Sequence, residues 1–422
     1  MIGVPDAVSA NGMATDSIQR IVIVGAGQAG GWAAKALRDA GFAGALTLVG
    51  EEPHPPHERP PLSKSVLAGK ADAASTHLFK PALLAGLALD WRAQTVATRI
   101  DRAAQRVEIQ GDDPIPYDRL LLCTGGRARM FDAPGAREHP IHVLRTLGDS
   151  ERLGAALQAA RRVLVIGGGW IGLEVAAAAR SMGREVTVVE TAPRLCARVV
   201  PPAVSALLSD LHARHGVSLR TGVGVARLEP ARGGGTNAVL SDGASVVADC
   251  MVAGVGLVPN DELARAAGLA CDGGILVDAR CATSDPRIFA AGDVAVGPNT
   301  HAAGTVRLES WQNAQDQGIA AARAALGMEV HYDPVPRFWS DQYDTNLQIL
   351  GWPRATDDVV VRGDVAQGRF LVLTLEGGRL HSAFSFNAAR ELRVLRKLIE
   401  VRAAVDPLRL ADSSQDLATI AA

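Results

Sequence analysis

Lysine is scarce in this chain of 422 residues: only Lys35, Lys64, Lys70, Lys80 and Lys397 stand among its 43 basic residues. A lysine inside a motif therefore needs a reason. Cysteine is sparse too, with Cys123, Cys196, Cys250, Cys271 and Cys281 lying no closer than ten residues apart. That spacing offers neither a C-x-x-C redox pair nor the clustered ligands of a zinc site, so we expect reduced thiols, a cytoplasmic location and no metal. No stretch approaches 18 uncharged apolar residues, which speaks against a membrane span. The net charge of −2 provides no field for nucleic acid. Residues 1–17 contain no Lys or Arg and no signal-like apolar run, and are expected to be a flexible tail. What is present is ordinary globular material, 48% hydrophobic and 21% charged, enough for two to four packed domains.

The clearest local signal is the β-branched run at 21–24, followed by Gly25-Ala26-Gly27-Gln28-Ala29-Gly30 and an alanine-rich helical stretch to about residue 40. A second apolar run at 45–49 ends at Gly50-Glu51, completing a βαβ unit with an acid at its second strand tip. The pattern recurs at 163–166, with Gly167-Gly168-Gly169-Trp170-Ile171-Gly172, a helix to about residue 182, a strand at 185–189 and Glu190. One G-x-G-x-x-G is weak evidence; two, each with strand, helix and closing acid, point to two dinucleotide sites. Such a turn binds pyrophosphate because glycines admit the phosphates to backbone N–H groups and the helix N-terminus supplies positive charge. Glu51 and Glu190 would take ribose hydroxyls and repel a 2′-phosphate. Arg194 and Arg198 then read as pyrophosphate ligands, with a 2′-phosphate as the alternative.

Further strands end in glycine at Thr124-Gly125-Gly126, at 254–256 and at Gly292-Asp293, where a ligand can approach backbone. Asp293 can accept from a polyol hydroxyl or simply cap a helix. From about residue 328 the texture changes to aromatic-rich alternation, with a helical pattern at 388–403. The fold expected is α/β: two Rossmann-like domains plus a C-terminal α+β domain. Two dinucleotide sites in one chain suggest a tightly bound flavin exchanging a hydride with a nicotinamide, chemistry that needs positioning groups and no acid–base pair.

The chain resembles the FAD-dependent pyridine-nucleotide oxidoreductases of the ferredoxin reductase type, among them the reductase components of biphenyl-type aromatic-ring dioxygenases. The resemblance covers residues 20–410 and is most specific at Arg59-Pro60-Pro61-Leu62-Ser63-Lys64, with support from 144–147, 166–174, 190–194, 283–293, 309–311 and 338–342. It implies that FAD takes Gly25, Gly27, Ala29, Gly30, Glu51, Arg59, Lys64, Ala97, Thr124, Gly125, Arg145, Gly292, Asp293 and Trp311. It implies that NADH takes Gly167, Gly169, Trp170, Ile171, Gly172, Glu174, Glu190, Arg198 and Gly256. Lys64 and Glu174 are expected to pair beside the flavin. Taken alone, Lys64 reads as a solvated lysine and Glu174 as a carboxylate on the first turn of its helix, favoured by the dipole. Trp170 either lies over the nicotinamide or packs in the core.

On this reading residues 18–150 begin the FAD-binding domain, 151–272 form the NAD-binding domain, 273–329 return to FAD, and 330–422 form the third domain. Residues 51–64 contain no cysteine, so no protein thiol receives the electrons, and a direct single-electron acceptor or dioxygen remains. An iron–sulfur protein fits that step, and the resemblance implies a [2Fe-2S] ferredoxin serving an aromatic-ring dioxygenase. At 100° per residue Arg390, Arg393, Arg396 and Lys397 share one helix face, which is either ordinary solvated surface or a landing site for an acidic ferredoxin. The alternatives are a rubredoxin or cytochrome P450 ferredoxin as partner, or a redox sensor similar to apoptosis-inducing factor. Monomer and homodimer are both open.

Overall fold

The computed structural model describes residues 18–354 and 358–420; the tail expected over 1–17 lies outside them. Strands β1 (Arg20–Val24), β2 (Ala45–Val49), β3 (Asp90–Arg92), β4 (Arg119–Leu122) and a late strand make the first sheet. The second sheet uses β5 (Ile141–His142), β6 (Arg162–Ile166), β7 (Glu185–Glu190), β8 (Val217–Thr221) and β9 (Cys250–Ala253). The late strand is β10 (Ile288–Ala290). The orders are β10-β4-β1-β2-β3 and β8-β7-β6-β9-β5, parallel throughout. The second sheet is thus inserted between strands of the first. Central strands β1 and β6 are apolar along nearly their whole length because both faces are covered, one by helices and the other by a small three-stranded antiparallel sheet, over residues 97–116 for β1 and 225–248 for β6.

Helix α1 (Gln28–Asp39) follows β1, α2 (Leu147–Ala159) enters the inserted unit, and α3 (Trp170–Ser181) follows β6. Outside these lie α4 (Pro202–Arg214) and α5 (Trp311–Ala325). α5 packs on α1 through Ala33, Ala34, Leu37, Ala314, Ala321, Ala322 and Ala325. The approach is so close that a Cβ on Gly318 would stand 2.4 Å from the Ala29 carbonyl.

The third unit is an antiparallel sheet of β11 (Arg337–Gln342), β12 (Thr345–Gly351), β13 (Asp358–Asp364), β14 (Arg369–Glu376) and β15 (Arg379–Phe386), in the order β11-β12-β15-β14-β13. One face, with Leu347, Ile349, Phe370, Val372, Phe384 and Phe386, packs against Leu173 of α3 and Val204 and Leu208 of α4. The other receives α6 (Leu392–Glu400) through Leu392, Leu395, Leu398 and Ile399. The helix expected over 388–403 is therefore shorter: residues Ala389–Glu391 form a 3₁₀ turn after Asn387, whose φ is 54°, and left-handed Arg402 ends the segment. Among the described residues no helix is long and apolar enough to cross a membrane.

Candidate active site

Both glycine loops divide the same three tasks. Gly25 (φ 106°) and Gly167 (φ 109°) turn the chain where a Cβ would strike the Cys123 carbonyl at 2.1 Å or the Gly254 carbonyl at 2.4 Å. Gly30 and Gly172 let each helix close on its loop, where a Cβ would stand 1.9 Å and 2.0 Å from the carbonyls of Gly25 and Gly167. Gly27 and Gly169 differ: nothing lies within 4 Å of a Cβ there, and both line a cavity of about 1540 Å³ at the N-termini of α1 and α3. These are the open, positively polarised cradles that a pyrophosphate fills. Gly30 and Gly172, expected among the ligand contacts, are packing glycines and do not line the cavity.

The remaining residues named for the two cofactors do line it: Gly25, Ala29, Glu51, Arg59, Lys64, Ala97, Thr124, Gly125, Arg145, Gly292, Asp293 and Trp311 on one side, Gly167, Trp170, Ile171, Glu174, Glu190, Arg198 and Gly256 on the other. The two sets open into one continuous space. Arg145 Nη2 pairs with Asp293 Oδ2 at 2.8 Å, and Arg59 reaches both the Arg145 carbonyl and Glu52 Oε1, the latter at 2.8 Å. Burial alone would raise Glu52, but the charges of Arg59 and His57 carry its carboxyl below the usual range. This alternating cluster holds its own charges in register, which is what a dinucleotide diphosphate with polyol hydroxyls needs from a wall.

Glu190 sits at the tip of β7 with Oε2 accepting from Gly168 N at 2.7 Å and Oε1 from Ala192 N at 2.7 Å. Backbone therefore fixes the carboxylate beside the second cradle. Arg194 is not a phosphate ligand: its guanidinium is spent on the carbonyls of Val200 and Ala197 and on Ser205 Oγ, each at 2.7 Å, which ties the loop back on itself. Arg198 remains exposed on the cavity wall. With the carboxylate fixed there and Arg194 turned away, Glu190→Ala is expected to shrink a preference for NADH over NADPH that should reach about tenfold in kcat/KM. Equal use of both nucleotides by the parent chain would refute this.

Lys64 follows the 3₁₀ turn Pro60–Ser63, whose two prolines stiffen the segment. Its Nζ lies 2.9 Å from Glu174 Oε1, joining the first unit to the inserted one across the cavity. Glu174 is the fifth residue of α3 and so not on its first turn; the helix dipole is not the reason for it. It is 4% exposed, and its partners besides Lys64 are Ser63 Oγ, and Ser340 Oγ at 2.6 Å. Reading the sequence located neither serine in this role.

Trp170 stacks on Phe338 of β11, with centroids 5.1 Å apart at 32°, so its ring forms cavity wall against the third unit. Trp311 meets Trp339 edge to face at 5.3 Å, and both line the cavity. All five cysteines are free, and burial raises the Cys123 thiol beside the cavity to about 12, which keeps it protonated and a poor nucleophile.

Residues 19–318 match the family of pyridine nucleotide-disulphide oxidoreductases, and residues 337–421 match the reductase C-terminal domain. Rhodocoxin reductase of Rhodococcus erythropolis is 42% identical over 94% of this chain and 93% of its own. The ferredoxin–NAD(+) reductase component of the anthranilate 1,2-dioxygenase system of Burkholderia cepacia is also 42% identical, over 96% and 99%. Putidaredoxin reductase, in its covalent complex with putidaredoxin, superposes with a TM-score of 0.90 at 39% identity, covering 94% of this chain and 97% of that one. With its doubled glycine cradle and the family's own C-terminal sheet, the chain belongs to the pyridine nucleotide-disulphide oxidoreductases, in the branch of ferredoxin–NAD(+) reductases.

Proposed function

We propose that FAD lies tightly and non-covalently against the first glycine cradle, that NADH exchanges at the second, and that electrons leave singly to a [2Fe-2S] ferredoxin feeding an aromatic-ring dioxygenase. The observation that carries this reading is the Lys64–Glu174 pair, 2.9 Å long, where the two cradles open into one cavity. A bound flavin supplies the chemistry, taking up a hydride and giving electrons back one at a time. The chain's own residues hold and aim. Glu51 and Glu190 receive ribose hydroxyls, the N-termini of α1 and α3 face pyrophosphate, and Arg59, Arg145 and Asp293 fix the ribityl end. Glu174 holds the Lys64 ammonium where nicotinamide and flavin meet. A cytochrome P450 ferredoxin or rubredoxin as partner would change none of this. NADH-driven reduction of a ferredoxin, followed in the visible, tests the reading; flavin reduction with no onward transfer to any iron–sulfur protein would overturn it.

For the docking face, support comes from the third sheet. Trp339 points to the same side of the sheet as Leu350, the side that carries α6, because Arg337 pairs with Leu350 and Trp339 lies two residues on. The exposed Arg390, Arg393, Arg396 and Lys397 thus share a side with the indole at the cavity edge, although Arg396 is partly neutralised by Glu400 at 2.9 Å. Attraction between opposite patches is screened over about 8–10 Å at physiological salt. Ferredoxin reduction should therefore slow as salt rises, while reduction of a small neutral acceptor should not. The double variant Arg393→Glu with Lys397→Glu should raise the KM for ferredoxin and leave flavin reduction by NADH alone. A salt-independent ferredoxin rate would move the docking site elsewhere.

A further inference from the structure

Strand β11 presents Phe338, Ser340 and Gln342 to α3 and α4, on a face that is otherwise apolar. Ser340 is 0% exposed and Gln342 2%, and His212 of α4, also at 0%, faces them. Buried polar groups of this kind are costly unless every one is satisfied. Here they are satisfied in only one direction. Glu174, paired with Lys64, is a carboxylate and can only accept, so Ser340 Oγ, 2.6 Å from Oε1, must donate its proton to it. Ser340 Oγ can then only accept from Gln342, which turns the amide Nε2 toward it at 3.0 Å and the amide oxygen toward His212. Gln342 Oε1, 2.8 Å from His212 Nε2, requires a proton on that nitrogen. In the neutral ring Nδ1 is left as acceptor, and Tyr343 Oη donates to it at 3.2 Å.

Burial keeps this polarity intact: it pushes His212 down to about 4, so the ring is neutral in use, and it raises the Tyr343 hydroxyl, which stays protonated. The outer end is anchored by His215, whose ring stacks on Tyr343 at 3.6 Å and 8° while its Nδ1 donates to the Leu211 carbonyl at 2.8 Å. The chain runs from the half-buried outer edge of α4, through the third sheet, to the carboxylate at the cavity.

We propose that Tyr343, His212, Gln342 and Ser340 are positioning residues: a one-way hydrogen-bond chain that holds the Glu174 carboxylate aimed at Lys64, and so sets where the ammonium stands in the cavity. The proposal deepens the reductase reading and rests on it for the kinetic consequence alone. The polarity is testable without cofactor. Nitrogen-15 NMR of the histidine rings in the full-length apoprotein should show His212 as the Nε2–H tautomer; an Nδ1–H tautomer would overturn the chain.

With FAD loaded, Ser340→Ala and Gln342→Leu should slow flavin reduction by NADH about tenfold while the KM for NADH stays within about twofold, the split expected when reacting geometry and not binding is lost. His212→Gln, which keeps a donor near the Nε2 position, should recover most of the rate that His212→Leu loses. A role in packing alone would make the two His212 variants equally slow, and parent rates in Ser340→Ala would likewise overturn the proposal. If the parent chain itself is not reduced by NADH, the reductase reading fails while the tautomer still decides the chain.

Discussion

Gly27→Val is expected to give a folded chain that purifies without FAD, and Gly169→Val one that holds FAD but no longer responds to NADH. Both glycines have ordinary backbone angles at the N-cap of their helices, φ −83° and −84°, so valine brings no left-handed strain. Neither Cβ meets protein within 4 Å. The added methyl groups enter the cradle and nothing else, displacing a pyrophosphate from the N–H groups of α1 or α3. We expect each to weaken its own nucleotide about a hundredfold, equivalent to roughly 2.7 kcal/mol. Gly30→Val makes the contrast, since its Cβ collides with backbone and should cost stability first. Flavin absorbance after gel filtration, FAD titration of the apoprotein and thermal unfolding separate the cases. Parent affinity for FAD in Gly27→Val would place the diphosphate elsewhere.

The second large effect is expected from Lys64→Met. Methionine fills the space of the lysine stem but leaves Glu174, 3% exposed at its side chain, with hydroxyl partners only. Breaking a fully buried pair costs about 3–5 kcal/mol, and Lys64 is 18% exposed, so the lower end of that range is the ceiling here. The larger consequence is kinetic. With the positive charge gone from the junction of the two sites, reduction by NADH in stopped flow should slow by about 10–100-fold, while the dissociation constant for NADH changes far less. Unchanged reduction kinetics would make Lys64 an ordinary surface lysine.

The features legible in the sequence were those whose cause is local. A glycine loop after a β-branched run carries its strand, turn and helix within about 20 residues, and both copies fold as read. Lys64 was marked out by scarcity and by its stiff Pro-Pro approach. Partnerships made at a distance left no such trace. Ser63 and Ser340 reach Glu174 across 111 and 166 residues, and His212 meets Gln342 across 130; no spacing rule spans those gaps. The one available hint was the break in apolar alternation at Ser340 and Gln342 along β11. Arg194 misled because proximity in sequence to Glu190 says nothing about where a guanidinium turns, and two carbonyls of its own loop and Ser205 of α4 captured it. Glu174 misled by a single helical turn: position five of α3 faces Ser63 and Lys64, not the helix end.

The order of strands in the first sheet bears on how the molecule is made. β10, at residues 288–290, completes that sheet beside β4, and α5 then covers the Ala33, Ala34 and Leu37 face of α1. A ribosome releasing the chain from its N-terminus delivers the inserted unit in full before either piece exists. The earliest-made βαβ unit must therefore wait, with its apolar helix face uncovered, through the synthesis of more than a hundred residues that fold as something else. At about 5–20 residues per second that is a wait of several seconds at least, long enough for uncovered apolar surface to find other partners. Closure then occurs between segments far apart in the chain, the kind of contact that slows folding. Growth temperature and translation rate should accordingly govern the soluble yield of this protein more than substitutions inside the inserted unit do.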